Sequence, residues 1–241
     1  MHRANQFPWS KDELEGRLGD AVRAYWKART RQSKKNAKAN GKPIRAGGVL
    51  AGQHLNKLLD LLCEIARAAG YQESEILRGS GMELPGYFRP QKRWDLVIHR
   101  QGRLCAAVEL KSQVGAFGNN FNNRTEEAIG SSTDFWTAFR EGALGPHQPW
   151  LGYFFLLEEA EKSTKPVSLK KGVMPTLPIF QGTSYADRYA ILCERLILER
   201  KYSCASLIMS RRSSRTFCEP KEHLGFYAFA KSLYSHLIGC G

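Results

Sequence analysis

The sequence contains no continuous apolar run of about 18 residues, so no transmembrane helix is expected. Its opening residues also lack the apolar core of a signal peptide. The six cysteines show no metal-ligand spacing, and four of them, Cys63, Cys105, Cys193 and Cys204, lie within apolar runs. These absences argue against a zinc site and predict the reduced core thiols of a cytoplasmic protein.

Acidic residues are scarce relative to basic ones. The 241 residues include 23 Asp and Glu against 36 Lys and Arg, which gives a formal net charge of +13. This excess favours a polyanionic partner, either nucleic acid or an anionic membrane surface, although a basic protein without such a partner would show the same balance. Hydrophobic residues make up 42% of the chain, which suffices for a core. We expect one domain over residues 1–241, with an N-terminal helical and basic segment (about 1–48) as part of it.

Hydrophobic periodicity predicts an α-β-β-α-β-α-β-α order, which indicates an α/β (α+β) fold with a mixed central sheet flanked by helices. Two segments rich in turn residues, 112–124 and 158–183, are predicted to be loops. The predicted helices cover residues 10–31, 49–69, 125–140, 185–201 and 219–238, and the predicted strands cover a hairpin over 95–111, then 150–157 and 204–210.

The hairpin carries charged residues at one end and apolar residues elsewhere. Its strands join at Gln101-Gly102; the first opens with Asp95, and the second closes with Glu109 and Lys111. Side chains alternate along a strand, so Glu109 and Lys111 project to the same side. If the reversal is centred on the glycine, Asp95 lies directly across from Glu109, and two carboxylates and an ammonium group converge.

This convergence depends on the register of the hairpin. A two-residue turn would pair Asp95 with Val108 and send the two carboxylates to opposite faces. The chemistry therefore requires a turn of odd length or a β-bulge. Gly102 is the natural residue for the left-handed position that such a reversal needs.

Asp95, Glu109 and Lys111 fit the PD-(D/E)xK nuclease pattern, with Pro90 standing five residues before the Asp. Mg²⁺ binds through one or two carboxylates plus substrate phosphate, and it lowers the pKa of a water molecule that attacks the phosphodiester. Lys111 would position that water. A Glu-x-Lys sequence alone is more often a surface pair, but the hairpin, the alternation, the upstream Asp and the net charge together favour the nuclease interpretation.

Further residues are candidates for a third acidic ligand or for DNA contacts. Glu64, on a predicted helix, and Glu126 are the additional acids. Residues 26–48 hold eight Lys or Arg and no acid, which suits a phosphate-binding arm or, alternatively, a solvated linker. Asn and Arg after Lys111 could read base edges, although turns also use Asn. The candidate DNA contacts are Lys34, Lys35, Lys38, Lys92, Arg93, Asn119, Asn120, Asn122, Asn123, Arg124, Arg211 and Arg212.

The chain resembles the XhoI family of type II restriction endonucleases. The resemblance spans nearly the whole chain and is sharpest over 89–128, in the segments Arg89–Asp95, Glu109–Gly115 and Phe117–Glu127. It implies a PD-(D/E)xK restriction-endonuclease-like core and carries over Asp95 and Glu109 as metal ligands and Lys111 as the catalytic lysine.

The resemblance also implies an activity and a setting. The expected protein is a homodimeric, Mg²⁺-dependent endonuclease that cuts palindromic double-stranded DNA, CTCGAG in the best-known members. It would act in the bacterial cytoplasm, and a cognate methyltransferase would modify the same site without a required complex. Independently of the resemblance, a palindrome is read most simply by two copies of one chain related by the same two-fold axis.

Two other functions are compatible with the same residues. A structure-specific DNA repair nuclease would use the same hairpin chemistry but cut at junctions or ends. A non-catalytic DNA-binding protein, in which the acidic pair is structural, would bind with strong salt dependence and would not cut. A membrane-surface protein is disfavoured because no helix joins a basic face to an exposed aromatic one.

Overall fold

The computed structural model describes residues 6–38, 53–79 and 81–240. None of the helices in these ranges combines the length and the apolar character needed to cross a bilayer. The helices are α1 (Lys11–Lys38), α2 (Asn56–Ala68), α3 (Phe117–Arg140), α4 (Glu161–Thr164), α5 (Tyr185–Leu198) and α6 (Phe226–Cys240). The strands are β1 (Ile76–Leu77), β2 (Glu83–Pro85), β3 (Gln91–Arg93), β4 (Leu96–Arg100), β5 (Arg103–Gln113), β6 (Trp150–Glu158) and β7 (Cys204–Ser210).

Five strands form the main sheet in the order β1-β4-β5-β6-β7. The first three are antiparallel, whereas β5, β6 and β7 are parallel. Parallel neighbours need a crossover, and helices α3 and α5 lie in the two connections. Strands β2 and β3 form a separate two-stranded antiparallel sheet. The predicted α/β (α+β) fold, a mixed sheet flanked by helices, is confirmed, and it is consistent with a restriction-endonuclease-like core.

Helices cover both faces of the main sheet. Val108 and Phe154 belong to a core that includes α1, α2 and α6, while their neighbours Ala107 and Phe155 pack with α3 and α5 on the other side. All nine residues of β6 are buried, which explains why its sequence is continuously apolar from Trp150 to Leu157.

The turn between β4 and β5 has two residues. Gln101 and Gly102 have φ angles of 51° and 76°, and Arg100 pairs directly with Arg103. Positive φ at both positions gives the twist that a two-residue hairpin requires. Continued unchanged, this register would place the two predicted carboxylates on opposite faces.

A β-bulge restores the register that the site needs. Ile98 pairs with Ala106, so Cys105 is an extra residue in β5 and the pairing shifts by one. Cys105 and Ala106 consequently face the same core although they are adjacent in sequence. Beyond the bulge, the register places Asp95 beside Glu109. Of the two alternatives left open by the sequence, the bulge is the one that the structure uses.

The predicted loop over 112–124 is wrong. Strand β5 continues to Gln113, and α3 begins at Phe117, so the Asn-rich segment forms the first two turns of a helix. Asn has a low helix propensity, but packing stabilises the helix. Phe117 is buried, and the centroid of the Phe121 ring lies 5.1 Å from the centroid of the Tyr189 ring on α5.

Several helix boundaries also differ from the predictions. Helix α1 extends to Lys38, seven residues beyond the predicted end at 31, so the first part of the basic segment belongs to this helix. The last helix begins at Phe226 instead of 219, and the Glu219 side chain accepts a 2.8 Å hydrogen bond from the Phe226 amide. Residues 39–52, which include the start of the predicted helix 49–69, lie outside the described part of the chain.

The small sheet is anchored by one buried carboxylate on α3. Asp134 Oδ1 accepts hydrogen bonds from the amides of Tyr87 (2.7 Å) and Phe88 (2.9 Å), and Oδ2 accepts one from Arg89 Nε (2.6 Å). Burial opposes ionisation of Asp134, but Arg89 and the two amides outweigh it and lower its pKa. The β2–β3 loop is thereby fixed, with Tyr87 and Phe88 exposed at 56% and 69%.

We expect Gly102→Ala to lower the free energy of unfolding by about 1–2 kcal/mol. The position has a φ of +76° and open space for a Cβ, so the cost arises from the backbone conformation alone. Gly130→Ala is the matched control. It adds the same methyl group in a helix, also without a clash, and should stabilise by up to about 1 kcal/mol. Urea denaturation measures both, and equal effects of the two substitutions would contradict the role of the turn.

Candidate active site

The structure brings together the three residues that the hairpin pattern predicts. Asp95 directly precedes β4, and its Oδ2 accepts a 2.7 Å hydrogen bond from the Leu110 amide, between Glu109 and Lys111 on β5. The Asp95 amide in turn donates to the Val108 carbonyl at 3.1 Å. The two carboxylates and the ammonium group therefore lie on the side of the sheet covered by α3 and α5.

Glu109 is the centre of the cluster. It is 5% exposed, and both of its carboxylate oxygens accept hydrogen bonds from ammonium groups. Lys111 Nζ donates to Oε1, and Lys92 Nζ donates to Oε2 at 2.6 Å. Burial opposes ionisation of Glu109, but the charges of Lys111 and Lys92 outweigh it and lower the pKa of the carboxyl group. Glu109 is therefore held as a carboxylate.

Lys92 also belongs to this cluster, a role that the sequence did not predict. The sequence predicts it only as a DNA contact, whereas its side chain is 11% exposed and ion-paired with Glu109. Its Nζ also lies 4.1 Å from the centroid of the buried Trp94 ring. Lys92 and Trp94 stand just before Asp95 in the sequence, but the contact of Lys92 with Glu109 depends on how the small sheet packs against the main one.

Asp95 has the opposite electrostatic environment from Glu109. Burial raises its pKa from 3.8 to about 6, and the neighbouring negative charge of Glu109 adds to the increase. The hydrogen bond from the Leu110 amide and the charges of the two lysines offset only part of it. The two carboxyl groups, adjacent in the hairpin, are thus separated in pKa by their surroundings.

Lys111 is held in its charged form. Burial disfavours the ammonium group, but Glu109, and further away Asp95 and Glu127, outweigh burial and raise the pKa of Lys111. At neutral pH this side chain can donate hydrogen bonds and stabilise negative charge, and it is not a base.

Helix α3 presents two different faces near the site. Glu127, which affects Lys111 electrostatically, forms an ion pair with Arg124 at 2.5 Å. The Arg124 Nε is buried, with no hydrogen-bond partner among the described residues. The remaining candidates on this helix lie largely toward solvent: Asn119, Asn122, Asn123 and Glu126 are exposed, and the partly buried Asn120 donates to the Ala116 carbonyl.

The predicted acid Glu64 is not brought to the pair. Helix α2 packs on the opposite face of the main sheet, and Glu64 accepts a 2.7 Å hydrogen bond from Arg17 of α1. Glu126 lies on the outer face of α3, whereas its neighbour Glu127 is the acid that influences Lys111. Sequence spacing alone could not tell which of Glu126 and Glu127 is oriented toward Lys111, because that depends on how α3 packs against the sheet.

The basic candidates are spread over several elements. Lys34 is exposed on α1, while the side chains of Lys35 and Lys38 lie outside the described part of the structure. Arg93 donates to the Gly79 carbonyl. Arg211 and Arg212 form ion pairs with Glu159 (3.0 Å) and Glu158, respectively.

The donor set at the site fits a hard divalent cation. Within residues 6–38, 53–79 and 81–240, no cluster of three or more His, Cys, Asp or Glu could hold a metal ion. Asp95 and Glu109 offer two carboxylates without nitrogen or sulfur ligands. This set suits Mg²⁺, which takes one or two protein carboxylates and completes its coordination with water and phosphate oxygens.

Comparisons with known proteins identify the class of enzyme. A family model described as restriction endonuclease XhoI matches residues 31–219. Among curated proteins, the type II restriction enzyme BstVI of Geobacillus stearothermophilus is 42% identical over 84% of this chain and 95% of its own. The type II restriction enzyme XhoI of Xanthomonas vasicola is 42% identical over 76% of this chain and 74% of its own. No solved structure shows significant similarity.

The chain therefore belongs to the XhoI restriction endonuclease family. The predicted family and enzyme class, type II site-specific deoxyribonuclease, are confirmed. Restriction endonucleases bind DNA, and type II enzymes generally use a divalent metal ion, in agreement with the excess of 13 positive charges and with the paired carboxylates.

We expect Asp95→Asn to stabilise the protein more at pH 8 than at pH 4.5. The pKa of Asp95 is raised in the folded state, so the wild type loses stability as pH increases from about 4 to 6, and Asn removes this loss. The difference between the two pH values should reach about 2–3 kcal/mol at most, from 1.36 kcal/mol per pKa unit. Chemical denaturation across this range measures it.

Asp60→Asn provides the control. Burial tends to raise the pKa of Asp60, but Lys57 and Arg78 lower it overall, so the group stays ionised in both states between pH 5 and 8. Its substitution should show no comparable pH dependence in that range. A pH-independent effect of Asp95→Asn would contradict the raised pKa.

Proposed function

We propose that this protein is a homodimeric, Mg²⁺-dependent type II restriction endonuclease that cuts both strands of a palindromic DNA sequence, with CTCGAG as the candidate site. The observation that carries the proposal is the convergence of Asp95, Glu109 and Lys111 at the end of a hairpin, in a chain of the XhoI family. The candidate sequence comes from the family resemblance.

Each residue of the cluster has a role that follows from its environment. Asp95 and Glu109 would hold Mg²⁺, which supplies acidification of water and neutralisation of charge on the phosphate when it is bound. The hydrogen bond from the Leu110 amide fixes the Asp95 carboxylate, so the orientation of this ligand is set by the backbone. Lys111, held in its charged form, would orient the attacking water and stabilise negative charge on the scissile phosphate.

The DNA would lie across the edge of the site between α3 and the small sheet. Asn119, Asn122 and Asn123 share an exposed face at the start of α3, directly after the strand that carries Lys111, and their amides could read base edges in a groove. The exposed Lys34 and Arg93, together with Lys35, Lys38, Arg211 and Arg212, would contact phosphates.

The dimer follows from the symmetry of the substrate. A palindrome presents the same half-site and the same scissile bond on each strand, so two copies of this chain related by a two-fold axis would each cut one strand. We propose that residues 1–241 act as one domain in each protomer. A separate methyltransferase would protect the same sequence, and the bacterial cytoplasm is the proposed compartment.

The test is cleavage of an unmethylated plasmid that carries a single CTCGAG. With Mg²⁺ we expect one double-strand cut at that sequence, located by mapping the ends, and no cut after chelation of the metal. A plasmid that differs by one base pair within the six should remain intact, because a mismatched pair costs about 1–3 kcal/mol in recognition.

Other outcomes would redirect the proposal. Cuts at another palindrome would keep the enzyme class and reject CTCGAG. Cuts at junctions or ends would favour the structure-specific repair nuclease. Binding without cutting would favour the non-catalytic DNA-binding protein.

Lys111→Ala should lower the cleavage rate by about 10²–10³-fold, because it removes the donor that stabilises charge at the phosphate. Its affinity for the DNA should change by no more than about threefold, since one of many positive charges is lost. Lys57→Ala is the control: Lys57 is exposed on α2, on the opposite face of the sheet, and its loss should leave cutting unchanged. Single-turnover cleavage and gel-shift titration measure the two quantities, and wild-type cutting by Lys111→Ala would reject the role of this lysine.

A further inference from the structure

Glu109 has no free carboxylate oxygen when both lysines are in place. Lys111 Nζ donates to Oε1 and Lys92 Nζ donates to Oε2 at 2.6 Å. A carboxylate in this state must release one ammonium group, or share an oxygen with it, before it can bind a divalent cation at close range. Binding of a metal ion at Glu109 therefore requires that one of the two lysines move away from its carboxylate oxygen.

The two lysines reach Glu109 from different sheets. Lys111 stands two residues from Glu109 on the same strand and projects to the same side, so its backbone position relative to Glu109 is fixed by the main sheet. Lys92 reaches Glu109 from β3, which belongs to the separate two-stranded sheet. Its side chain can therefore leave Glu109 without any change in β5.

The contacts of Lys92 describe a prepared cation site. Its ammonium group donates to Glu109 and to the Arg93 carbonyl at 3.2 Å, and it lies over the face of Trp94. A carboxylate, a carbonyl oxygen and an aromatic face are partners that favour a cation, and they match the three hydrogens of one ammonium group.

We infer that Lys92 is an internal competitor of the divalent cation. When no metal is bound, its ammonium group occupies Oε2 of Glu109, and binding of a divalent ion at Asp95 and Glu109 displaces it. This inference rests on the proposed metal-binding role of that pair. Two carboxylates and two ammonium groups sum to zero charge, which avoids an unpaired buried carboxylate. A divalent ion added while both lysines stay would leave two excess positive charges at close range.

The competition gives metal binding a dependence on DNA. A phosphate near the site would offer Lys92 another partner and release Glu109. Metal would then bind weakly to the free protein and more tightly to the complex, and by linkage the metal would strengthen DNA binding by the same factor.

The test is binding of Mn²⁺, a paramagnetic ion that also prefers carboxylate ligands, to the whole protein without DNA, with free Mn²⁺ measured by electron paramagnetic resonance. Lys92→Met removes the charge but keeps an unbranched side chain against Trp94. We expect it to bind Mn²⁺ about tenfold more tightly than the wild type. Lys92→Arg, which keeps the charge, should not show this increase.

Lys57→Met is the control for the general loss of one positive charge. Lys57 is exposed on α2, on the opposite face of the main sheet, where it pairs with Asp60 at 2.9 Å instead of contacting Glu109. Its substitution should change Mn²⁺ affinity by less than about twofold, since a charge on the exposed surface is screened.

A second measurement uses the wild type and does not depend on the folding of a variant. Acetylation of lysine amines, read by mass spectrometry, should leave Lys92 protected without metal and label it several-fold more strongly when Mn²⁺ is bound. Unchanged protection of Lys92, or release of Lys111 in its place, would overturn the inference.

Glu109→Gln separates this inference from the proposed function. If Glu109→Gln loses Mn²⁺ binding while Lys92→Met binds no more tightly than the wild type, the competition is rejected and the metal site stands. If neither the wild type nor Lys92→Met binds Mn²⁺, both the inference and the proposed metal site are rejected.

Discussion

A single extra residue in strand β5 decides where the charged side chains of this protein lie. The turn at Gln101-Gly102 has two residues, and without the bulge at Cys105 it would leave Asp95 opposite Val108. Because side chains in a strand alternate with a period of two, a shift of one residue moves every later side chain to the other face. The bulge thus places both carboxylates and Lys111 on the side of the sheet where α3 and α5 pack.

Once the carboxylates share a face, their burial creates an electrostatic problem. An ionised carboxylate removed from water is unfavourable unless it is paired, and Glu109 is paired twice. One of these partners, Lys92, lies outside the main sheet, on the small sheet, and its position depends on Asp134. That buried side chain fixes the β2–β3 loop, and the small sheet then delivers Lys92 to Glu109.

The same cluster leaves Asp95 only partly compensated. Its pKa of about 6 shows that burial and the charge of Glu109 outweigh the stabilising hydrogen bond and lysines, so the ionised form costs stability near neutral pH. Functional sites commonly carry such a loss of stability. Here it arises from Asp95, which, unlike Glu109, has no direct ion pair among the described residues.

The sequence by itself determined the mixed sheet with flanking helices, the hairpin, and Asp95, Glu109 and Lys111 as a group, because these follow from local periodicity and from spacing within two adjacent strands. Only the tertiary structure decided the rest. It turned the Asn-rich segment into a helix, since packing of Phe117 and Phe121 overrides the low propensity of Asn. It separated Glu64 from the site, brought Lys92 into it and chose a bulge over a longer turn. Each of these depends on contacts between elements distant in the chain, which no local pattern specifies.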